Sequence, residues 1–503
     1  MPASRTPVLV GVAQYCGRED DPARALSPAD MMAEVAQRAI ADGGAATPVI
    51  EALVAIRLFA NSGGAFPSPF GKYRNLPYSV ARRIGASPRE LIYGPIGGNT
   101  PQMVVNVIAD RIDRGEIDVA LIVGGEALRT QARAQKAGIA LDWGEDAPAD
   151  PEFWGDETHY ASRHEIQHGI AFPVNVYPLF ENAYAAAKGW SRAHHIAEIG
   201  RLMAGFSAVA AQNPYAQIRT ARSANALMAP SDDNRIIAWP YTKYVNANMF
   251  VDQAAAVLMM SSAAADRFSV PEAKRVYLHG SADTHEHILV SERVDYASSP
   301  AIKVGAAHAL AAAGVTAEQL RHVDLYSCFP AAVEIAADMV GLATDDPGRL
   351  TLTGGLPYFG GPGNAYSMHG IAEAVARCRA DPGSWGFVFA NGGFLTKHSF
   401  GVYSAAPGYT PRSDPALYQR DIDAMPPPPF TERPSGDGII ETFAIVFHKG
   451  APMFGIVVGR LPSGERFLAQ MHEDLAALLD TPAIGRRIAV TAGDPVNRAR
   501  FAA

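Results

Sequence analysis

The 503-residue chain is 48% apolar and 19% charged, and 43 basic against 51 acidic residues leave a net charge of -8. That is a folded globular make-up, too long for one simple core, so two or more domains are expected. A mildly acidic chain with no basic run excludes nucleic acid or an anionic membrane as the main partner. Cys16, Cys328 and Cys378 are scattered and form no CxxC pair, which fits a reducing cytosol and excludes a cysteine-rich zinc site. The opening MPASRTPVLVGVAQY lacks the charged-then-apolar layout of a signal peptide, and no apolar run approaches the roughly 18 residues of a membrane span. The expectation is a soluble, cytoplasmic protein.

TPVLVGVAQY reads as a buried first strand. A helix follows from the cap-plus-proline start at Ser27-Pro28 and stops at glycine. ALVAIRLFA is a second strand; the turn GGNTPQ then opens a helix over 101–114, followed by a strand over 118–124. Strands alternating with helices predict a covered α/β sheet. From about 127 to 241 the chain turns rich in Trp, His, Tyr and Pro and reads as a helical insertion. MFVDQAAAVLMMSSAAADRF restores strand and helix, closing a first half at 1–270. A second α/β half spans 271–410, with VYLHGSAD, the strand-turn-helix VDLYSCFPAAVEIAADMVGL and the strand GFVFANGGFLTKHSFGVYS. A proline-rich linker, 411–434, carries four consecutive prolines. The strands beyond it, 435–503, read as a separate small β domain, a compact barrel.

The ordered signatures are GGNTPQ with its helix and IVGGEA, then VDQAAAVLMMSSAAA, DLYSCF, GGLPYFGGPG and FANGGF. Together they resemble the thiolase superfamily, enzymes that make or break carbon–carbon bonds in acyl-CoA thioesters, over about residues 6–405. The tail resembles the additional C-terminal domain of thiolase-like proteins type 1, related to the SCP2-thiolase branch. The resemblance implies an α/β thiolase fold of two βαβαβαββ-type halves layered α/β/α/β/α, with a helical loop domain. It also implies a coenzyme A thioester as substrate rather than a resident cofactor, an acyl-CoA or β-keto ligand, and a homodimer.

The catalytic side chains of that family do not carry over. Its nucleophilic cysteine falls on Gly98 or Asn99, and its Asn-Glu-Ala-Phe or His-Asp-Cys-Phe motif becomes Tyr326-Ser327-Cys328-Phe329. Its Gly-His-Pro becomes Gly360-Gly361-Pro362, and its Cys-x-Gly-Gly becomes Ala390-Asn391-Gly392-Gly393. Acyl transfer needs a thiolate, a base and oxyanion donors, each donor worth roughly 3 kcal/mol when preorganised. Cys328 precedes Pro330 at a helix start, where the dipole lowers a thiol pKa; the alternative is a small core residue. His369 and His398 are candidate bases against ordinary structural histidines, and Asn99 is a candidate oxyanion donor. Gly98, Tyr326, Gly361, Asn364, Tyr366, Asn391, Gly392 and Lys397 are candidate substrate-binding positions, Lys397 for a phosphate or carboxylate. The histidines of HGSADTHEH and HYASRHEIQH lack a partner set at usable spacing, so no metal site is expected.

Three functions compete. One is an acetyl-CoA acetyltransferase-like enzyme of lipid or aromatic catabolism, working by acyl transfer or retro-Claisen cleavage with Cys328 as covalent nucleophile. The others are a non-catalytic CoA- or acyl-binding protein, and a β-keto acid hydrolase or decarboxylase without a covalent intermediate.

Overall fold

The computed structural model describes residues 5–44, 49–62, 67–155, 159–480 and 482–502; the outermost domain limits expected above, at 1 and 503, lie outside them. The strands of the first half are β1 (Pro7–Cys16), β2 (Ala52–Ala55), β3 (Glu90–Tyr93), β4 (Val119–Ala127) and β5 (Glu152–Phe153). The insertion carries β6 (Ile236–Trp239) and β7 (Tyr241–Thr242), and β8 (Asp252–Ser261) closes the half. The second half supplies β9 (Val276–His285), β10 (Leu320–Leu325), β11 (Trp385–Gly392) and β12 (Lys397–Ser404). The tail supplies β13 (Ser435–His448), β14 (Ala451–Arg460), β15 (Arg466–Met471), β16 (Arg487–Thr491) and β17 (Arg498–Phe501).

The two halves join through β1 and β9 into one ten-stranded sheet ordered β10-β11-β12-β9-β1-β8-β4-β2-β3-β5. The helices Thr100–Asp113 and Tyr366–Ala380 form the middle layer. Val104, Ile108 and Ile112 from one and Met368, Ile371 and Val375 from the other bury against strand residues of both halves, Ile122 and Val388 among them. Pro28–Asp42, capped by Ser27 with Asp30 completing a capping box, covers the first half outside. Pro300–Ala313 and Pro330–Val340 cover the second, under the insertion helices Pro173–Ala187 and Arg192–Gln212. This is the layered α/β architecture expected from the resemblance, with a small C-terminal β unit.

Three expectations need correction. ALVAIRLFA is a strand only at Ala52–Ala55, because the chain leaves the sheet just before Arg57. The linker contains a helix, Pro415–Asp423, started by Asp414 and held by buried Tyr418 and Ile422 at i, i+4 spacing. The tail is not separate. Strands β13 to β17 close into a ring, β13-β14-β15-β17-β16, yet β13 also pairs with β6 of the insertion, Ile445 opposite Trp239. Val446, Ile456 and Leu468 of the ring share one apolar cluster with Phe180 and Tyr241 of the insertion. Among the described residues no helix is long and apolar enough to cross a membrane.

Candidate active site

The turn Gly97-Gly98-Asn99 joins β3 to the middle helix, and Gly97 needs its φ of 138°, a value glycine alone adopts freely. Asn364 fixes the turn: its Oδ1 accepts from Gly97 N at 3.0 Å, and its Nδ2 donates to Arg57 O at 2.7 Å and Ser62 Oγ at 3.0 Å. Ser367 Oγ donates to Gly98 O at 2.6 Å. Asn364, expected to touch substrate, thus spends its donors and its acceptor on the scaffold.

Gly98 is one of the two positions on which the family's cysteine falls, and the space over it is filled. A Cβ there would fall on the Tyr326 hydroxyl and stand 2.6 Å from both Tyr326 Cζ and the Asn391 carbonyl oxygen. Tyr326 is buried and packs edge-on against Tyr366 with ring centroids 5.4 Å apart. A Cβ at Gly392 would likewise fall on Asn99 Oδ1. Asn99 gives its Nδ2 to Ser399 Oγ at 3.3 Å, while Asn99 Oδ1 and Asn391 Oδ1 are buried without a hydrogen-bond partner among the described residues.

Cys328 lies two residues before the helix Pro330–Val340 and is 8% exposed. Asn391 Nδ2 donates to Tyr177 Oη at 2.9 Å and approaches Cys328 Sγ at 3.9 Å. The expected lowering of the thiol pKa is reversed: burial pushes it up to about 12, against the weaker pull of Tyr177, nearby backbone N–H groups and Asn391. Neither candidate base reaches it. His369 bonds through Nδ1 to Gln14 Oε1 at 2.9 Å, stacks edge-on against Phe359, and is pushed by burial down to about 3. It faces β1 rather than Cys328, because two helical turns carry it away from the glycine-rich segment. His398 sits on β12 opposite Asn391 in register, fully buried, with neither ring nitrogen partnered among the described residues. Burial, with Arg293 and His285 nearby, holds it well below the usual histidine range, hence neutral.

Tyr366 is drawn into a buried network instead of a pocket. Its hydroxyl meets Thr353 Oγ1 at 2.6 Å and Asp324 Oδ2 at 3.4 Å, and burial raises Asp324 to about 6. Gly361 donates to Asn248 O at 2.8 Å, and a side chain there would press on Leu356. Lys397 Nζ donates to Ile96 O at 2.6 Å and lies 5.3 Å from the Tyr160 ring centroid. Burial, then the charge of Arg57, lowers it to about 8.

Arg57 is a residue that sequence reasoning missed, hidden inside a strand-like apolar run. Also missed is the buried group beneath Phe329: Tyr241 Oη donates to Glu181 Oε2 at 2.7 Å, and His195 Nε2 meets Glu181 Oε1 at 2.8 Å. The histidines of HGSADTHEH serve the scaffold, His279 against Ala406 O and His287 against Met425 O, both at 2.8 Å. Among the described residues no group of three or more His, Cys, Asp or Glu could hold a metal ion.

The structure gathers Gly98, Asn99, Tyr326, Cys328, Asn391, Gly392, Lys397 and His398 around the ends of β10, β11 and β12, with Tyr366 packed behind Tyr326 and Asn364 behind the turn, and it turns His369 toward β1. The layers and the glycine turn define a thiolase-fold protein with no space for a side chain at Gly98. A crystal structure of a monomeric SCP2-thiolase-like protein type 1 from Mycobacterium smegmatis matches with 39% identity and a TM-score of 0.85, covering 100% of both chains. The chain therefore belongs to the SCP2-thiolase-like protein type 1 family. A sequence profile of the thiolase-like protein type 1 additional C-terminal domain matches residues 418–494. Two further structures share the fold alone. The Ltp2–ChsH2(DUF35) aldolase is 18% identical, with a TM-score of 0.58 over 80% of this chain and 98% of that one. Acetyl-CoA acetyltransferase from Syntrophomonas wolfei is 15% identical, with a TM-score of 0.56 over 80% and 100%. No curated protein matches the chain.

Proposed function

We propose that this protein binds a CoA-linked acyl or β-keto acyl group without forming a covalent acyl-enzyme. The observation that carries this reading is the Tyr326 ring standing where a side chain at Gly98 would stand. A thiol held near 12 is almost wholly protonated at neutral pH, and among the described residues no base within hydrogen-bonding distance draws its proton, which argues against Cys328 as the nucleophile. Any turnover is then non-covalent, decarboxylation or hydrolysis of a β-keto group. The neutral His398 would accept a proton, and Asn99 with the turn amides would hold an oxyanion. The protein acts as a monomer, in line with the description of its Mycobacterium smegmatis relative rather than with the dimer of the wider superfamily.

Intact-protein mass spectrometry after incubation with acetoacetyl-CoA, beside calorimetric titration of the same ligand, tests this. Binding with no mass gain is the expected result. An acyl adduct that disappears in Cys328→Ala would sink the proposal and restore covalent transfer.

A further inference from the structure

The turn over residues 393–396 joins β11 to β12 and follows directly on their last paired residues, Asn391 opposite His398 and Gly392 opposite Lys397. Its placing therefore sets how those four residues meet the glycine turn, where Lys397 Nζ reaches Ile96 O at 2.6 Å. Leu395 within it has a φ of 55°, a left-handed conformation that a residue with a Cβ keeps only where its surroundings impose it. Arg293, 3% exposed, supplies that constraint. Its Nη1 donates to Leu395 O at 2.6 Å, and its Nη2 donates to Phe394 O at 2.9 Å and to Thr396 Oγ1 at 2.8 Å. Tyr177 holds the other side, its Oη accepting from Leu395 N at 3.2 Å and from Asn391 Nδ2 at 2.9 Å.

Arg293 is itself held by the C-terminal ring. Along β15, Phe467, Ala469 and Met471 point into the ring's own core, so Arg466, Leu468 and Gln470 point out of it. Leu468 joins the apolar cluster of the insertion, and Gln470 Nε2 donates to Gln167 O at 3.4 Å. Arg466 Nη1 donates to Ser291 O at 2.8 Å and to Arg293 O at 2.5 Å. Glu441 of β13 fixes that guanidinium, accepting from Nε at 2.8 Å and from Nη2 at 2.6 Å, and the Tyr296 ring centroid lies 4.8 Å from its carbon. Glu441, Arg466, Arg293 and the 393–396 turn thus form one line of buried contacts, from the ring to the strand ends that carry Asn391 and His398. A guanidinium buried on carbonyl groups offsets its desolvation only while each acceptor keeps its place, so displacing the Arg293 backbone loosens the turn. We infer that Arg293 is a positioning residue of the candidate site and that the C-terminal ring, through Arg466, holds it in place, so that ligand binding depends on the tail. That Asn391, Lys397 and His398 meet the ligand rests on the function proposed above; the dependence of the turn on Arg466 does not.

Hydrogen–deuterium exchange of the full-length protein, read by mass spectrometry on peptides covering 391–398, tests this beside calorimetric titration with acetoacetyl-CoA. In Arg293→Met and in Arg466→Met the turn should exchange about tenfold faster than in wild type, and acetoacetyl-CoA should bind about tenfold more weakly. Arg293→Lys, which keeps the charge and loses the fork, should fall between. Leu468→Ala is the control: it loosens the ring on the same strand without touching Arg293, and should leave both readings at wild-type values. Should the thermal midpoint show that Arg466→Met fails to fold, Glu441→Gln frees the Arg466 guanidinium more gently and should speed exchange in the same direction. Unchanged exchange of the turn in a folded Arg466 or Glu441 variant would overturn the inference. Equal acceleration in Leu468→Ala would overturn it as well, by marking a general loosening, and so would a faster turn that binds acetoacetyl-CoA as tightly as wild type. A wild type that binds no acetoacetyl-CoA would sink the proposed function alone: acceleration confined to the Arg293, Arg466 and Glu441 variants would then still support the hold of the ring on the turn, and its absence would overturn it.

Discussion

If the space over Gly98 is filled, putting the family's cysteine there must cost stability rather than create an enzyme. In Gly98→Cys the new Cβ meets three atoms at once: the Tyr326 hydroxyl, Tyr326 Cζ at 2.6 Å and the Asn391 carbonyl oxygen at 2.6 Å. Contacts under 3.0 Å are essentially never seen for real Cβ atoms. The carbonyl belongs to β11, whose residue Asn391 is locked opposite His398, so it yields little. The tyrosine cannot swing freely, being 7% exposed and wedged against Tyr366. Overpacking of this kind costs about 1–3 kcal/mol, and contact with both a ring and a backbone atom places the substitution at the upper end, about 3 kcal/mol. Tyr326→Phe combined with Gly98→Cys removes the nearest atom but leaves the ring carbon and the carbonyl, so it should recover less than half. The assay is the urea midpoint, read by tryptophan fluorescence, for wild type, Gly98→Ala, Gly98→Cys and the double variant. A Gly98→Cys protein within about 0.5 kcal/mol of wild type would refute the reasoning and show that the position is open.

Cys328, with its thiol raised to about 12 by burial, should react with iodoacetamide at pH 7.5 about a thousandfold more slowly than a free cysteine. The rate should rise tenfold per pH unit, and peptide mass mapping checks it; fast labelling would show a thiolate. For Lys397, the folded value of about 8 lies below the unfolded 10.4, so the unfolded chain binds more protons between them. The cost of the buried charge is then fully present below pH 8 and relieved as pH rises towards about 10.4. Lys397→Met should be the more stable protein at pH 7 by roughly 1–3 kcal/mol and lose its advantage by pH 10.5 in denaturation midpoints. Arg466 of the ring, 0% exposed, pairs with Glu441 and donates to Ser291 O and Arg293 O. Arg466→Met should therefore cost about 3 kcal/mol, against under 0.5 kcal/mol for Arg487→Met in an exposed pair with Asp437. Equal melting shifts for the two would show that burial of Arg466 contributes nothing.

Elements with local signals were legible in the sequence. Ser27-Pro28 starts its helix as the cap rule requires, and GGNTPQ forms the turn and helix start its glycines and proline imply. What crosses between distant segments was not. Nothing in the spacing of Tyr326 and Gly98 shows that one fills the space over the other, because that contact depends on how β3 and β10 are placed by ten paired strands. Cys328 was put at a helix start, where it stands, yet its titration follows from burial, and part of its cover is Tyr177, which comes from the insertion and stacks on Phe329 with 4.4 Å between centroids. Arg57 lies in ALVAIRLFA, read whole as a strand, and its place beside the glycine turn shows only once the chain is seen to leave the sheet after Ala55. The tail's union with β6 escaped notice because a two-strand hairpin in a helical, proline-rich stretch has little alternation to display.

That union sets a timetable for synthesis. Asn182 on the insertion helix donates to Phe443 O, and Leu179 O accepts from Thr442 Oγ1, partners 261 and 263 residues further along the chain. At 5–20 residues per second a ribosome needs roughly 13–50 s to deliver them. During that interval the face of Pro173–Ala187 meant for β13 has no permanent cover, and the β6–β7 hairpin offers an open edge to any strand nearby. The tail is thus made long after a surface that waits for it, so a ribosome that stalls before residue 435 leaves a chain with an exposed, strand-seeking flank.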